Sequence, residues 1–303
     1  LQSYGDKPVP EDLANLSFDD LVQQCRAASE RNVWAGRKVS AIHHFACTGG
    51  TLISRALGAQ ANVILLSEMD PFSTLDKGPG ELRPTDILGQ NNTGLRSFDK
   101  MVAGDVFMAG LKALNKCLFS TGQHMLLRDH PHSHFCTDQD IEARPLMSAL
   151  LRQFFDLRNI VTVRHPLDSF LSLHVKKWVH FPNPTLEEYA RRYLLFLDAY
   201  ASTSMFRYED FVADPDGVVQ QMSNVLGLGY AAAWPNLLPS LTLSGASGRI
   251  SDVIEPRVRR DIPHSIFDQQ DTSPSYNILC QKLGYNTEFD SPPCVKSPEI
   301  SDP

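Results

Sequence analysis

Five short apolar runs, separated by stretches of helical spacing, constrain this chain more than any other feature. The runs are KVSAIHHF (38–45), NVILLS (62–67), HMLLRD (124–129), NIVTVR (159–164) and TSMFRYE (203–209). Apolar positions three and four apart predict helices near 51–60, 98–119, 140–156, 166–178, 185–200 and 215–226. Short apolar strands alternating with helices imply a parallel sheet covered on both faces. The expected fold is therefore α/β, a three-layer α/β/α domain with a central parallel sheet. Ligands in such folds bind beyond the carboxyl ends of the strands.

The flanks differ in texture. Residues 1–35 open polar and then give SFDDLVQQCRAASE, with Leu21, Val22 and Cys25 at helix spacing and Ser17 placed as an N-cap. This reads as a helical N-terminal extension, followed by the main domain over 36–285. The Pro/Ser/Asp-rich stretch 286–303 reads as a disordered tail. Residues 70–97 are rich in Pro, Gly, Asp and Asn, and are expected to form a loop or lid on the substrate side.

A net charge of −7 argues against broad nucleic-acid binding, although EPRVRRDIP (255–263) is a local basic cluster. The six cysteines show no CxxC pair or metal-like spacing, which suits reduced thiols and a cytoplasmic location. No apolar run reaches the ~18–20 residues of a membrane span. The chain begins at Leu1 rather than Met, so an upstream segment is not excluded.

The first strand runs into ACTGGT (46–51), a P-loop-like strand–loop–helix. Gly49 and Gly50 allow close backbone approach, and the amides of Gly50, Thr51 and Leu52 open a helix, where an anion is favoured. The Thr51 hydroxyl can add a hydrogen bond. A Walker A loop has lysine just before that threonine; here the residue is Gly50, which disfavours ATP chemistry. A second anion site is suggested by TVRHPLDSFLSL (162–173), where Arg164 closes a strand, Pro166 opens a helix and Ser172 follows two turns later.

Together these segments resemble the sulfotransferases that use 3′-phosphoadenosine-5′-phosphosulfate (PAPS). The resemblance covers roughly 38–230. It rests on the glycine loop, on RHPLDSFLS as an R-x-P-x-D-x-x-x-S segment, and on RYEDFVADPDGVVQQMSNVLGL (207–228). It implies that the loop, including Thr48, Gly49, Gly50, Thr51 and Leu52, holds the 5′-phosphosulfate. Arg164 and Ser172 would then hold the 3′-phosphate, with adenosine 3′,5′-bisphosphate (PAP) as product and no metal required. Two departures stand out. Thr48 occupies the place of a basic residue, for which Arg55 or Arg128 could substitute, and no literal RKG follows. Its nearest counterparts are SGASGR (244–249), placing Ser247, Gly248 and Arg249 near the nucleotide, and Arg257–Arg260.

Sulfuryl transfer needs a base for the acceptor proton and positive charge at the departing oxygen. Glu68, just beyond the second strand, stands where family members acting on tyrosine or sugars keep a glutamate base. Arg128 and His130 occupy the places of the K-x-H of the cytosolic branch. Glu68 ranks above His130 as base, with His130 then binding or orienting the acceptor. In an extended stretch His130, His132 and His134 would share one side. Asp129, His43 and His44 are expected to be structural. The acceptor is expected to be a carbohydrate, glycolipid or other hydroxylated metabolite. A P-loop nucleotide kinase or hydrolase, and a non-catalytic nucleotide-binding relative, remain as alternatives.

Overall fold

The computed structural model describes residues 36–73, 75, 87–88, 99–241 and 253–289. The helix expected before residue 36, most of the 70–97 loop, Ser247, Gly248 and Arg249 lie outside the described residues.

Five strands form one all-parallel sheet: β1 (Lys38–His44), β2 (Val63–Met69), β3 (His124–Asp129), β4 (Asp156–Val163) and β5 (Ser204–Arg207), in the order β2-β3-β1-β4-β5. Period-2 alternation divides the side chains between two helical layers. Val39, Ala41, Met125, Leu127 and Leu157 face α2 (Lys100–Ser120) and α4 (Met147–Arg152). Ile42, Leu126 and Ile160 face α1 (Gly50–Gly58) and α8 (Pro215–Leu226). The three-layer α/β/α expectation holds.

A third apolar cluster sits toward the carboxyl ends of the strands. Phe45, Val161 and Val163 pack there against α5 (Pro166–Val175), α6 (Leu186–Ala199) and α9 (Pro274–Leu283). α6 starts on a Thr185 N-cap, whose hydroxyl accepts from the Glu188 amide at 3.2 Å. α8 starts on Asp214, which accepts from the Gly217 amide at 3.0 Å, and stops at Gly227, in the left-handed region. At the C-terminal side, Phe289 is buried against Tyr276.

Several element boundaries depart from expectation. The helix expected over 140–156 reduces to a 3₁₀ turn (Ile141–Ala143) and the six-residue α4, because Pro145 holds Arg144 extended. β4 consequently starts at Asp156. The helix expected to reach 178 ends at Val175. The fifth strand stops at Arg207, and Tyr208–Ala213 forms α7, too short for a periodicity signal.

Candidate active site

The turn after β1 is shaped from both sides by aromatic rings. Gly49 has φ 88°, and a β-carbon there would collide with the Tyr208 ring; one on Gly50 would collide with the His44 imidazole. From behind, the Tyr189 hydroxyl donates to the Ala46 carbonyl at 3.0 Å, and Phe45 stacks on Tyr193 with centroids 4.5 Å apart. Gly50 and Thr51 supply the first amides of α1. The Leu52 amide is committed to the Gly49 carbonyl at 3.1 Å, so Leu52 contributes as a cavity wall. Thr48 is fully buried, its hydroxyl 2.9 Å from the Phe45 carbonyl and 3.4 Å from that of Thr162. It braces the loop from within the fold.

Arg128 takes the central position. On β3 it lies in register with Ile42, on the α1 face, so its side chain runs under the loop. Its Nε donates to His44 Nε2 at 2.9 Å, Nη1 to Ser67 Oγ at 3.0 Å, and Nη2 to Thr51 Oγ1 at 2.9 Å. His44 can accept because burial first, and Arg128 next, hold its pKa well below the ordinary value. Its other nitrogen lies 3.2 Å from the Phe45 carbonyl, consistent with an Nδ1–H tautomer. Expected to be merely structural, His44 therefore both shapes the turn and orients the cation. Arg55, the other candidate, points away and donates to the Leu238 carbonyl.

Glu68 lies within the irregular end of β2 rather than beyond it. The β2–β3 register shifts between Leu66 and Met69, and Glu68 has φ 55°. Such a bulge re-aims a side chain at the cost of backbone strain. The carboxylate reaches 3.4 Å from Arg128 Nη1 and lines the cavity.

His130 lines the same cavity as the N-cap of α3 (Pro131–Phe135), with its amide donating to Asp129 Oδ1 at 2.7 Å. Burial lowers its pKa, while Glu68 and Asp70 act in the opposite sense. Residues 131–135 are helical rather than extended; His130 and His132 both line the cavity, and His134 does not. His132 Nε2 meets the Trp178 carbonyl at 3.0 Å and His134 Nε2 the Ile141 carbonyl at 2.8 Å. Among the described residues no three His, Cys, Asp or Glu side chains are grouped to hold a metal. Asp129 binds His43 Nδ1 at 2.6 Å and the Tyr200 hydroxyl at 3.0 Å, a buried brace beneath the site.

The second pole lies across the cavity. Arg164 Nη1 is 3.4 Å from Ser172 Oγ and 3.5 Å from the Cys47 carbonyl, and its guanidinium stacks over Tyr208 at 4.9 Å. The Arg164 amide donates to the Tyr193 hydroxyl at 3.2 Å. Glu209 explains the YED element: it accepts from the His165 amide at 3.0 Å and the Tyr285 hydroxyl at 2.6 Å. Arg259 is pinned to Asp168 at 3.0 Å, laying residues 256–260 along the cavity.

Both poles open on one cavity of about 300 Å³. Arg128, Arg164, Lys176, Arg257, Arg259 and Arg260 line it against Glu68, Asp168 and Glu209. A positive cavity in a chain of net charge −7 selects an anion.

No family model and no curated protein matches the chain. Three solved structures that do match are sulfotransferases. The sulfotransferase domain of the Synechococcus PCC 7002 olefin synthase is 19% identical, covers 82% of this chain and 95% of its own, and gives a TM-score of 0.46. A sulfotransferase from Alicyclobacillus acidocaldarius is 14% identical over 82% of this chain and 97% of its own, with a TM-score of 0.45. A mouse sulfotransferase complexed with PAP is 14% identical over 82% and 83%, with a TM-score of 0.37.

Glu68, Arg128 and His130 thus share a cavity with Gly49, Gly50, Thr51, Leu52, Arg164 and Ser172, while Thr48 stands behind it. Sequence reasoning missed Tyr208, Lys176 and Trp178 as cavity walls. Tyr208 was visible in the YED element, and Lys176 follows Ser172 by one helical turn.

Proposed function

We propose that this chain is a PAPS-dependent sulfotransferase acting on a hydroxyl or amine acceptor, namely a carbohydrate, glycolipid or other hydroxylated metabolite. One observation carries the reading: two separate anion-receiving sets, Thr51–Arg128 and Arg164–Ser172, open on a single cavity. A nucleotide phosphorylated at both the 3′ and 5′ positions needs two such sets. The reading as an ATP-dependent P-loop enzyme fits less well. That chemistry offers the loop hydroxyl to Mg²⁺, whereas here the Thr51 hydroxyl accepts from an arginine.

PAPS supplies a sulfuryl group already activated on a phosphate. The Gly50 and Thr51 amides, the Thr51 hydroxyl and Arg128 hold the 5′-phosphosulfate. Arg164 and Ser172 hold the 3′-phosphate, with Ser247, Gly248 and Arg249 assigned to the nucleotide. Glu68 removes the acceptor proton as the acceptor oxygen forms its bond to sulfur. The sulfur–oxygen bond to the phosphate breaks, and PAP departs with the electron pair. Arg128 balances the charge that develops on it. His130, kept neutral by burial, orients the acceptor by hydrogen bonding.

The test is formation of PAP from PAPS with a panel of sugars, glycolipids and phenols. PAP should form only with a matching acceptor. Glu68→Gln should lower kcat by 10²–10⁴-fold, with His130→Ala acting mainly on acceptor KM. A protein that neither binds PAP nor consumes PAPS with any acceptor would sink the proposal.

A further inference from the structure

The loop position expected to be basic is Thr48, and Thr48 is turned into the fold. α5 offers a cation instead. Asp168, Ser172 and Lys176 follow one another at intervals of four, so they stack along one helical face. All three line the cavity. Asp168 is held by Arg259 at 3.0 Å and Ser172 lies 3.4 Å from Arg164. Lys176 comes one turn further, as the C-cap of α5. Its ammonium rests over the Trp178 ring, 4.3 Å from the centroid, and the ionisable groups acting on it include Cys47, Arg128 and Arg164. Lys176 therefore lines the same cavity as the glycine turn, Arg128 and Arg164.

Resting on the sulfotransferase reading, we propose that Lys176 is a catalytic residue, supplying from the end of α5 the ammonium that a P-loop lysine supplies from within its loop. It touches the 5′-phosphate, from which the sulfuryl group departs, and neutralises the charge left there. The division of labour follows from chemistry. Arg128 is a planar fork fixed by His44, Ser67 and Thr51, whereas a lysine is a compact charge on a flexible stem that can follow an oxygen as its charge develops. Burial holds the lysine pKa below its ordinary value, and a phosphate beside it offsets that penalty.

Calorimetric titration with PAP and, separately, adenosine 3′-monophosphate tests this on the intact chain. Both ligands engage the Arg164–Ser172 pole, but only PAP carries the 5′-phosphate. Lys176→Met should weaken PAP binding by tenfold or more and leave the monophosphate unchanged, and Lys176→Arg should recover most of the loss. Thermal unfolding of each variant checks the fold, and the monophosphate serves as an internal control. If Lys176→Met binds PAP within twofold of wild type, or loses both ligands equally, the assignment is wrong. Failure of the wild type itself to bind PAP would instead count against the sulfotransferase reading.

Discussion

Gly49 shows how far a single residue is determined by its surroundings. Its positive φ and the Tyr208 ring both exclude a side chain. Gly49→Ala should cost about 2–4 kcal/mol, from left-handed strain plus overpacking, read by urea unfolding. Arg128 is equally constrained but for charge and shape. Lysine cannot reproduce a fork shared among His44, Ser67 and Thr51. Arg128→Lys should therefore lower kcat by about 10²-fold or more, and should also lower the urea midpoint, because His44, Ser67 and Thr51 lose a buried partner. At this scale the sequence was informative wherever a residue's role is local. Gly49, Thr51, Arg164 and Ser172 sit at fixed offsets from a strand end. It was uninformative where the partner is distant: nothing near His44 announces Arg128, which lies 84 positions away.

At the scale of elements, three segments meet at one buried ion pair. Arg144 Nη1 lies 2.8 Å from both Asp70 oxygens, and Ser133 donates to the same carboxylate. The pair ties the end of β2, which carries Glu68, to the segment after the 3₁₀ turn, and Ser133 ties it to α3, which begins after His130. Removing one partner of a buried pair leaves an uncompensated charge, so Arg144→Met should destabilise the fold by about 3–5 kcal/mol, measured by chemical denaturation. The sheet was legible from short apolar runs bounded by helical stretches, and the longer helices from apolar periodicity over several turns. The β2 bulge and the helix at Pro131–Phe135 were not. A bulge leaves no compositional trace, and five residues are fewer than two helical turns.

Over the whole molecule, buried histidines couple stability to pH. Burial is the leading cause of depressed pKa values at His44, at His132 (about 3) and at His165 (about 4). The unfolded chain protonates these groups near 6.5 while the folded chain does not. Stability is therefore complete above pH 6.5 and is lost as pH falls toward 4. His165 alone is worth on the order of 3 kcal/mol across that window. Glu209 runs the other way: burial raises its pKa, so its contribution is present at low pH and lost as pH rises. Burial also depresses His124, His130 and His134, so one raised carboxyl against six histidines leaves the histidines dominant. Urea midpoints measured from pH 7.5 to 4.5 should fall steadily below 6.5; a flat profile would contradict the buried, neutral imidazoles.

That two anion-receiving sets share one cavity is most directly tested by the thermal midpoint of the wild-type chain with saturating PAP against saturating ATP–Mg²⁺. A ligand at 100 times its Kd stabilises the fold by about 2.7 kcal/mol, a shift of several degrees or less in a chain of this size. PAP should raise the midpoint, Arg164→Ala should sharply reduce the rise, and ATP–Mg²⁺ should have little effect. A larger shift with ATP–Mg²⁺ than with PAP, or a PAP shift indifferent to Arg164, would contradict the account.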